Sequence, residues 1–275
     1  MDPLTPLLSQ TSLAAKVFFT GELCQAATFD ETKLVGHIHV MKSGRVAMTV
    51  RGNQPVIIDR PSILFFPRPC MHTLVPADEH GCELVCAFVD IGIKVRSPLA
   101  MSLPEVLILP MEEMKTIAAT LDLMFGEAFD ESFGRESALD RLVEYFLILT
   151  LRHVVERGHL QGGIFAAFAD PRLSNAVNAM HSRPAHPWTL EELADLAGMS
   201  RGRFAVNFRD TVGITPLDYL TDWRMSVAQN LLKQGRPIKS VAAAVGYQSQ
   251  AALARVFTKR IGLAPTDWVK QLSPV

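Results

Sequence analysis

The hydrophobic rhythm of the chain changes twice. Over the first hundred residues, short apolar runs are broken by turn signals: Ser43-Gly44, Gly52-Asn53, and prolines at Pro55, Pro61, Pro67 and Pro69. This punctuation predicts strands near residues 36–41, 45–51, 55–58, 63–66 and 83–91, spaced as in a sandwich or barrel. From residue 104 the period lengthens. Residues 112–129 read as one helix and 135–157 as a longer one, with Leu139, Leu142, Phe146 and Leu149 on one stripe and Gly158 as its stop. The stripe fits intrachain core, with a dimer seam as the alternative. Residues 161–170, with Gly162-Gly163 and Asp170-Pro171, read as a linker.

The last third repeats itself. Ala194, Ala197 and Gly198 are matched 48 residues later by Ala242, Val245 and Gly246, and Phe208, Gly213 and Pro216 recur 49 residues later as Phe257, Gly262 and Pro265. Each copy reads as a short Ala-rich helix, a glycine turn and a second helix. That is a helix-turn-helix, in which small residues allow a close crossing and glycine the sharp turn. Thr189 with Glu192 fits a capping box for the first helix. Residues 219–233 read as a helix joining the copies, and two such units should present two recognition helices on one face, about 34 Å apart.

Charge follows the same division. Residues 171–275 carry 13 Lys and Arg against 7 Asp and Glu, a balance of +6; the totals of 27 and 28 leave 14 against 21 for residues 1–170, a balance of −7. A basic module beside an acidic one suits a polyanionic partner, with chance segregation of surface charge as the alternative; the paired helix-turn-helix reading makes double-stranded DNA the expected partner. The 275 residues are 48% hydrophobic and 20% charged, which excludes a disordered or fibrous chain and leaves one or two domains. No apolar run reaches the ~18–20 residues of a membrane span; the best, from Leu142 to Leu151, contains Glu144 and is closed by Arg152. The start, MDPLTPLLSQ, lacks a basic and then an apolar region, so no signal peptide and no membrane partner is read, and a cytoplasmic location is expected. There, four cysteines are thiols, metal ligands or redox switches before they are structural staples.

The stretches WTLEELADLAGMSRGRFAVNFRDTVGITPLDYLTDWRM and IKSVAAAVGYQSQAALARVFTKRIGLAP resemble the AraC/XylS family of transcription regulators. DPLTPLLSQ, GHIHVMKSGRVAMTV, ILFFPRPCMHTL and CELVCAFVDIG resemble the cupin-type sensor domain of one subgroup, and the cysteine placement is similar to its oxidant-responsive members. The resemblance implies an α+β chain: a cupin-like β-barrel over residues 1–103, a helical extension with dimerisation over 104–160, a linker, and an all-α double helix-turn-helix DNA-binding domain over 171–275. It also implies a transcriptional activator that contacts RNA polymerase and forms a homodimer.

In the first recognition helix, residues 200–211, Phe204 and Phe208 should face inward, leaving Arg201, Gly202, Arg203, Ala205, Val206 and Arg209 outward. The family reads bases from the positions of Gly202, Ala205 and Val206, but here they are small or apolar. Val206 can touch a thymine methyl and cannot hydrogen-bond, while the arginines suit phosphates, or Arg203 a guanine edge. In the second, residues 249–261, Leu253 and Phe257 turn inward and Gln250, Ala251 and Arg255 outward. Gln pairs with adenine and Arg with guanine. Lys259 and Arg260 suit phosphates.

In the sensor, His37 and His39 share one strand face, as do Cys82 and Cys86, and Cys70 and His72 follow a strand. Three readings stand. His39, His72, Cys82 and Cys86 could hold zinc, with His37 and Cys70 as further candidates. Cys24, Cys82 and Cys86 could form a thiol switch, the resemblance favouring Cys24 and Cys86. The same side chains could also be inert core. Cys82 and Cys86 in one extended strand lie too far apart to bridge each other. A cupin-type metalloenzyme fused to a DNA-binding domain is the rival function. The pattern for its metal would use His37, His39 and His72 plus a carboxylate near Ser43, which the sequence lacks. A constitutive DNA-binding protein is a third option. The expected effector is an oxidant, a metal or a small ligand, with zinc as the one candidate cofactor.

Overall fold

The computed structural model describes Thr5, Leu8 and residues 13–32, 35–79, 81–91, 102–114, 117–157 and 162–270. The DPLTPLLSQ stretch, those two residues apart, lies outside the described residues, as do 158–161 of the expected helix end and linker. The chain divides into two compact units: residues 13–94 with 103–157, and residues 1–12, 95–102 and 158–275.

The first unit holds β1 (Leu13–Leu23), β2 (Ala27–Phe29), β3 (Gly36–Gly44), β4 (Val46–Val50), β5 (Val56–Ile58), β6 (Ser62–Phe66), β7 (His72–Pro76), β8 (Cys82–Ile91) and β9 (Leu107–Pro110). They pair antiparallel in two sheets, ordered β1-β8-β3-β6-β9 and β2-β7-β4-β5. Among the described residues the expected barrel takes the form of two stacked sheets that are not joined into one closed hydrogen-bonded cylinder. Met41, Leu64, Phe66, Leu84 and Cys86 of the larger sheet meet Val46, Met48, Ile58 and Leu74 of the smaller. Every position of β6, SILFF, is buried, because its reverse face is covered as well. A continuous apolar run is the signature of such a doubly buried strand.

The unit continues past residue 103, which corrects the expected boundary. β9 completes the larger sheet, with Ile63 opposite Leu109 and Phe65 opposite Leu107. A 3-10 turn, Met111–Glu113, leads to helices α1 (Ala118–Phe129) and α2 (Arg135–Glu156). The buried stripe of α2 is Leu139, Val143, Phe146, Leu147, Thr150, Leu151, His153 and Val154, turned slightly from the predicted one, and it packs across β1. Asp140 accepts from the Val17 amide at 2.8 Å and Glu144 from the Ala15 amide at 3.3 Å. The helix thereby satisfies amides of a sheet-edge strand that would otherwise invite foreign pairing.

In the second unit, α3 (Gly163–Ala169) replaces most of the expected linker. Ile164, Phe165 and Ala167 are buried, and the Ser102 hydroxyl accepts from the Ile164 amide at 2.9 Å. Two glycines masked an apolar face that pays its way only once packed. Then follow α4 (Pro171–Ser182), α5 (Leu190–Leu196), α6 (Arg201–Val212), α7 (Pro216–Lys233), α8 (Ile238–Ala244), α9 (Gln250–Ile261) and α10 (Pro265–Lys270). The predicted capping box is present: Thr189 Oγ1 accepts from the Glu192 amide at 3.1 Å, and the Glu192 carboxylate accepts from the Thr189 amide at 2.8 Å. Asp170 caps α4 ahead of Pro171, and Gly213 and Gly262 end α6 and α9 in left-handed conformation. No described helix is long and apolar enough to cross a membrane.

Candidate DNA-binding face and sensor core

α6 and α9 are the second helices of the two repeats. Phe204 and Phe208 anchor α6, with Phe208 edge-on to Tyr219 of α7 at 5.6 Å. Leu253 and Phe257 anchor α9, with Phe257 edge-on to Trp268. Each buried aromatic contributes about 1.5–3 kcal/mol, enough to fix which face looks outward. On α6 that face presents Arg201, Gly202, Arg203, Val206 and Arg209, all exposed, with Ala205 half-buried. Arg201 reaches Glu191 at 3.7 Å and Arg209 reaches Asp210 at 4.0 Å, exposed pairs that a phosphate could displace at little cost. On α9 the outward residues are Gln250, Ala251, Arg255 and Lys259.

Arg260 departs from its expected role as a phosphate contact. It folds back onto α7, bonding Asp218 and lying 3.4 Å from Asp222. The Thr215 hydroxyl and then Arg260 hold the Asp218 carboxyl below its usual range. The residue therefore fastens α9 to the connecting helix. A second fastening runs through the loop after α4. Arg224 of α7 donates to the Pro184 and His186 carbonyls, both at 2.7 Å, and Gly246 of the second turn closes on Ala185. These contacts explain why the two repeats have a set orientation, a feature invisible in their periodicity.

In the sensor core, His37, His39, Cys82 and Cys86 face the smaller sheet, and His72 faces them from β7. His72 Nδ1 donates to the Cys70 carbonyl at 2.7 Å, so its Nε2 is the acceptor. His39 Nε2, 2.8 Å away, must then carry a proton and donate to it. Stacking closes the cluster: Phe66 lies 3.7 Å from His72, centroid to centroid, and Phe29 lies 4.6 Å from His39. Burial lowers both imidazoles, His72 to about 4 and His39 well below its ordinary value, where His72 and His37 add to the effect. Both imidazoles are buried and held toward the neutral form.

This geometry does not gather the expected zinc set of His39, His72, Cys82 and Cys86. No three His, Cys, Asp or Glu among the described residues are placed to hold a metal ion. Cys86 stands opposite His39, but Cys82 stands opposite Gly44 at the far end of β8, and the His39–His72 bond already uses the lone pair His72 would lend. Burial raises the Cys82 and Cys70 thiols to about 11 and Cys86 further still. His37 edges onto His72 at 5.2 Å, and the Cys70 thiol bonds the Met71 carbonyl, so neither candidate completes a set. Where the enzyme pattern wants a carboxylate, Ser43 bonds Glu83 on the neighbouring strand. As placed, these side chains do not converge as one ligand set.

Of the three switch cysteines, Cys24 is exposed while Cys82 and Cys86 are buried. Leu23, next to Cys24, is the register partner of Cys82. Cys86 is partnered by Phe19, four residues further along β8. The sequence grouped Cys24 with Cys82 and Cys86, but β1 was not among the predicted strands, so nothing in it placed Cys24 beside Cys82 rather than Cys86.

Comparison with known proteins agrees with this division. The Cupin family profile matches residues 2–156, and a helix-turn-helix domain profile matches residues 193–271. A Streptomyces lividans chain described as an AraC-like transcription regulator is 29% identical over 98% of this chain and 97% of its own length. The RCS-specific HTH-type transcriptional activator RclR of Escherichia coli is 27% identical over 86% of each chain. The HTH-type transcriptional regulator AlkR of Acinetobacter baylyi is 28% identical over 96% of this chain and 90% of its own. Regulators throughout, they weigh against the fused metalloenzyme.

Proposed function

We propose, since this chain belongs to the AraC-type transcription regulators that carry an N-terminal cupin domain, that it is a cytoplasmic activator whose cupin unit senses an oxidant through Cys24. The DNA-binding regulator is the established part; the oxidant, the sign of regulation, homodimerisation and contact with RNA polymerase are the reading. The observation that carries it is an exposed thiol, Cys24, next to the strand position that pairs with buried Cys82. The likeness to an RCS-specific activator supports the choice of oxidant.

The chemistry balances with hypochlorous acid. The Cys24 sulfur takes the chlorine and hydroxide leaves; with the thiol proton this makes water. The Cys82 sulfur then attacks the sulfenyl chloride, chloride leaves, Cys82 loses its proton, and a disulfide remains. Cys86 is a poorer partner than the resemblance suggests. At ~3.3 Å per residue it lies roughly 13 Å beyond Cys82 along the strand, whereas a disulfide needs Cα atoms about 4.4–6.8 Å apart. Bridging draws Cys82 out of the core cluster it shares with Met41 and Leu84. That differential cost is what can shift the unit between two populations.

Peptide mapping after stoichiometric hypochlorite tests the reading. A Cys24–Cys82 disulfide, with Cys70 reduced, is the expected product. Unmodified Cys24, or a Cys24–Cys86 link, overturns the assignment.

A further inference from the structure

We propose that the DNA-binding unit carries a phosphate clamp at the edge of the first helix-turn-helix, formed by Arg172 of α4, outside the motif, with Arg203 and Asn207 of α6. The inference rests on the DNA-binding reading and adds a residue to it. A cleft of about 610 Å³ opens between the start of α4 and the flank of α6, lined by Asp170, Arg172, Met199, Arg203 and Asn207. Both arginines are exposed, and among the described residues neither guanidinium has an ion-pair partner. The one carboxylate present, Asp170, accepts the Arg172 and Leu173 amides as the helix cap. Asn207 commits one amide hydrogen to the Met199 sulfur at 3.8 Å and keeps the other. Two unpaired cations and an amide donor lining one cleft suit a phosphodiester oxygen, as arginine does generally.

Position supplies the occupant. Arg203 and Asn207 are four apart on α6, on the flank between its buried face, Phe204 and Phe208, and its outward face, Gly202, Ala205 and Val206. A helix lying in the major groove turns such a flank toward the sugar-phosphate wall. The cleft therefore continues the DNA-binding face. The second repeat lacks it: Ala252 and Val256 occupy the places of Arg203 and Asn207. This asymmetry complements the outward chemistry. α6 has no hydrogen-bonding side chain at Gly202, Ala205 or Val206, so its motif mainly holds the backbone while Gln250 and Arg255 of α9 read bases.

The test uses the full chain and a non-specific 30-base-pair duplex, with fluorescence anisotropy measured across salt concentration. Each phosphate contact contributes about 0.9 to the slope of log affinity against log salt. Arg172→Ala and Arg203→Ala should each shallow the slope by about that amount, so the affinity lost between about 50 and 200 mM salt shrinks roughly 3.5-fold. Arg172→Lys should keep the slope, because it keeps the charge. The double variant should lose less than the sum, since both side chains hold one phosphate. Wild-type slope in Arg172→Ala, with the helical circular dichroism unchanged, overturns the clamp. Failure of the wild-type chain to bind the duplex with any salt dependence overturns the DNA-binding reading instead.

Discussion

Gly246 lies so close to Ala185 that a β-carbon placed on it would stand 2.6 Å from the Ala185 carbonyl oxygen. Its repeat counterpart, Gly198, has nothing within 4 Å, although both adopt positive φ, +82° and +61°. One glycine serves the turn alone, and the other also seats the second motif against the loop after α4. Gly198→Ala should therefore cost about 1–2 kcal/mol, the left-handed penalty. Gly246→Ala should cost more and should weaken DNA binding by disturbing the spacing of the motifs. Denaturant midpoints compared with gel-shift titrations decide this, and equal effects at the two positions would refute it.

The three basic residues of α9 should separate by phenotype. Arg255→Ala should lose about 1–3 kcal/mol for the operator and little for unrelated duplex. Lys259→Ala should weaken both alike. Arg260→Ala should instead lower thermal stability of the DNA-binding unit, because Asp218 and Asp222 lose a charged partner worth about 1.5–3 kcal/mol. Unchanged operator affinity in Arg255→Ala would remove it from the reading face.

Both units should weaken in mild acid. His72 titrates at about 4 and His181 at about 3, each lowered by burial. His181 stacks on Trp223 at 3.9 Å and bonds the Tyr219 hydroxyl. Unfolded histidine titrates near 6.5, so below that pH the unfolded chain binds protons the folded chain refuses. Stability is complete above about 6.5 and falls as pH drops toward 4, by up to about 3 kcal/mol for each residue. Calorimetry at pH 7 and pH 5 should show lower transition temperatures for both units at pH 5. Identical temperatures would show that the imidazoles are not held neutral.

Asp140→Ala should loosen the edge of the larger sheet. Its carboxylate bonds the Val17 amide and the Lys16 ammonium, and the Val17 amide falls at the register shift in β1. Loss of a charged acceptor to a part-buried amide costs about 1.5–3 kcal/mol. Hydrogen exchange at Val17 should rise well above that of β3; protection equal to the parent would show that α2 does not cap the strand.

What the sequence alone determined lies where local pattern and tertiary need coincide. The duplicated small-residue helices, the Thr189–Glu192 box, the inward Phe204, Phe208, Leu253 and Phe257, and the apolar β6 follow from spacing, since a helix or doubly buried strand reads the same from inside or outside. Tertiary structure alone decided the rest. β1, LAAKVFFTGEL, holds strand formers from Val17 to Thr20 but Ala, Lys, Gly and Glu at its ends, and its full length is extended because β8 supplies its hydrogen bonds. α3 is a helix because packing and the Ser102 cap complete it, not because its seven residues favour one. Cys82, His39 and Arg260 each have a partner remote in the chain, and which donor meets which acceptor depends on register and crossing. Periodicity fixes the face a side chain takes, never the neighbour waiting there.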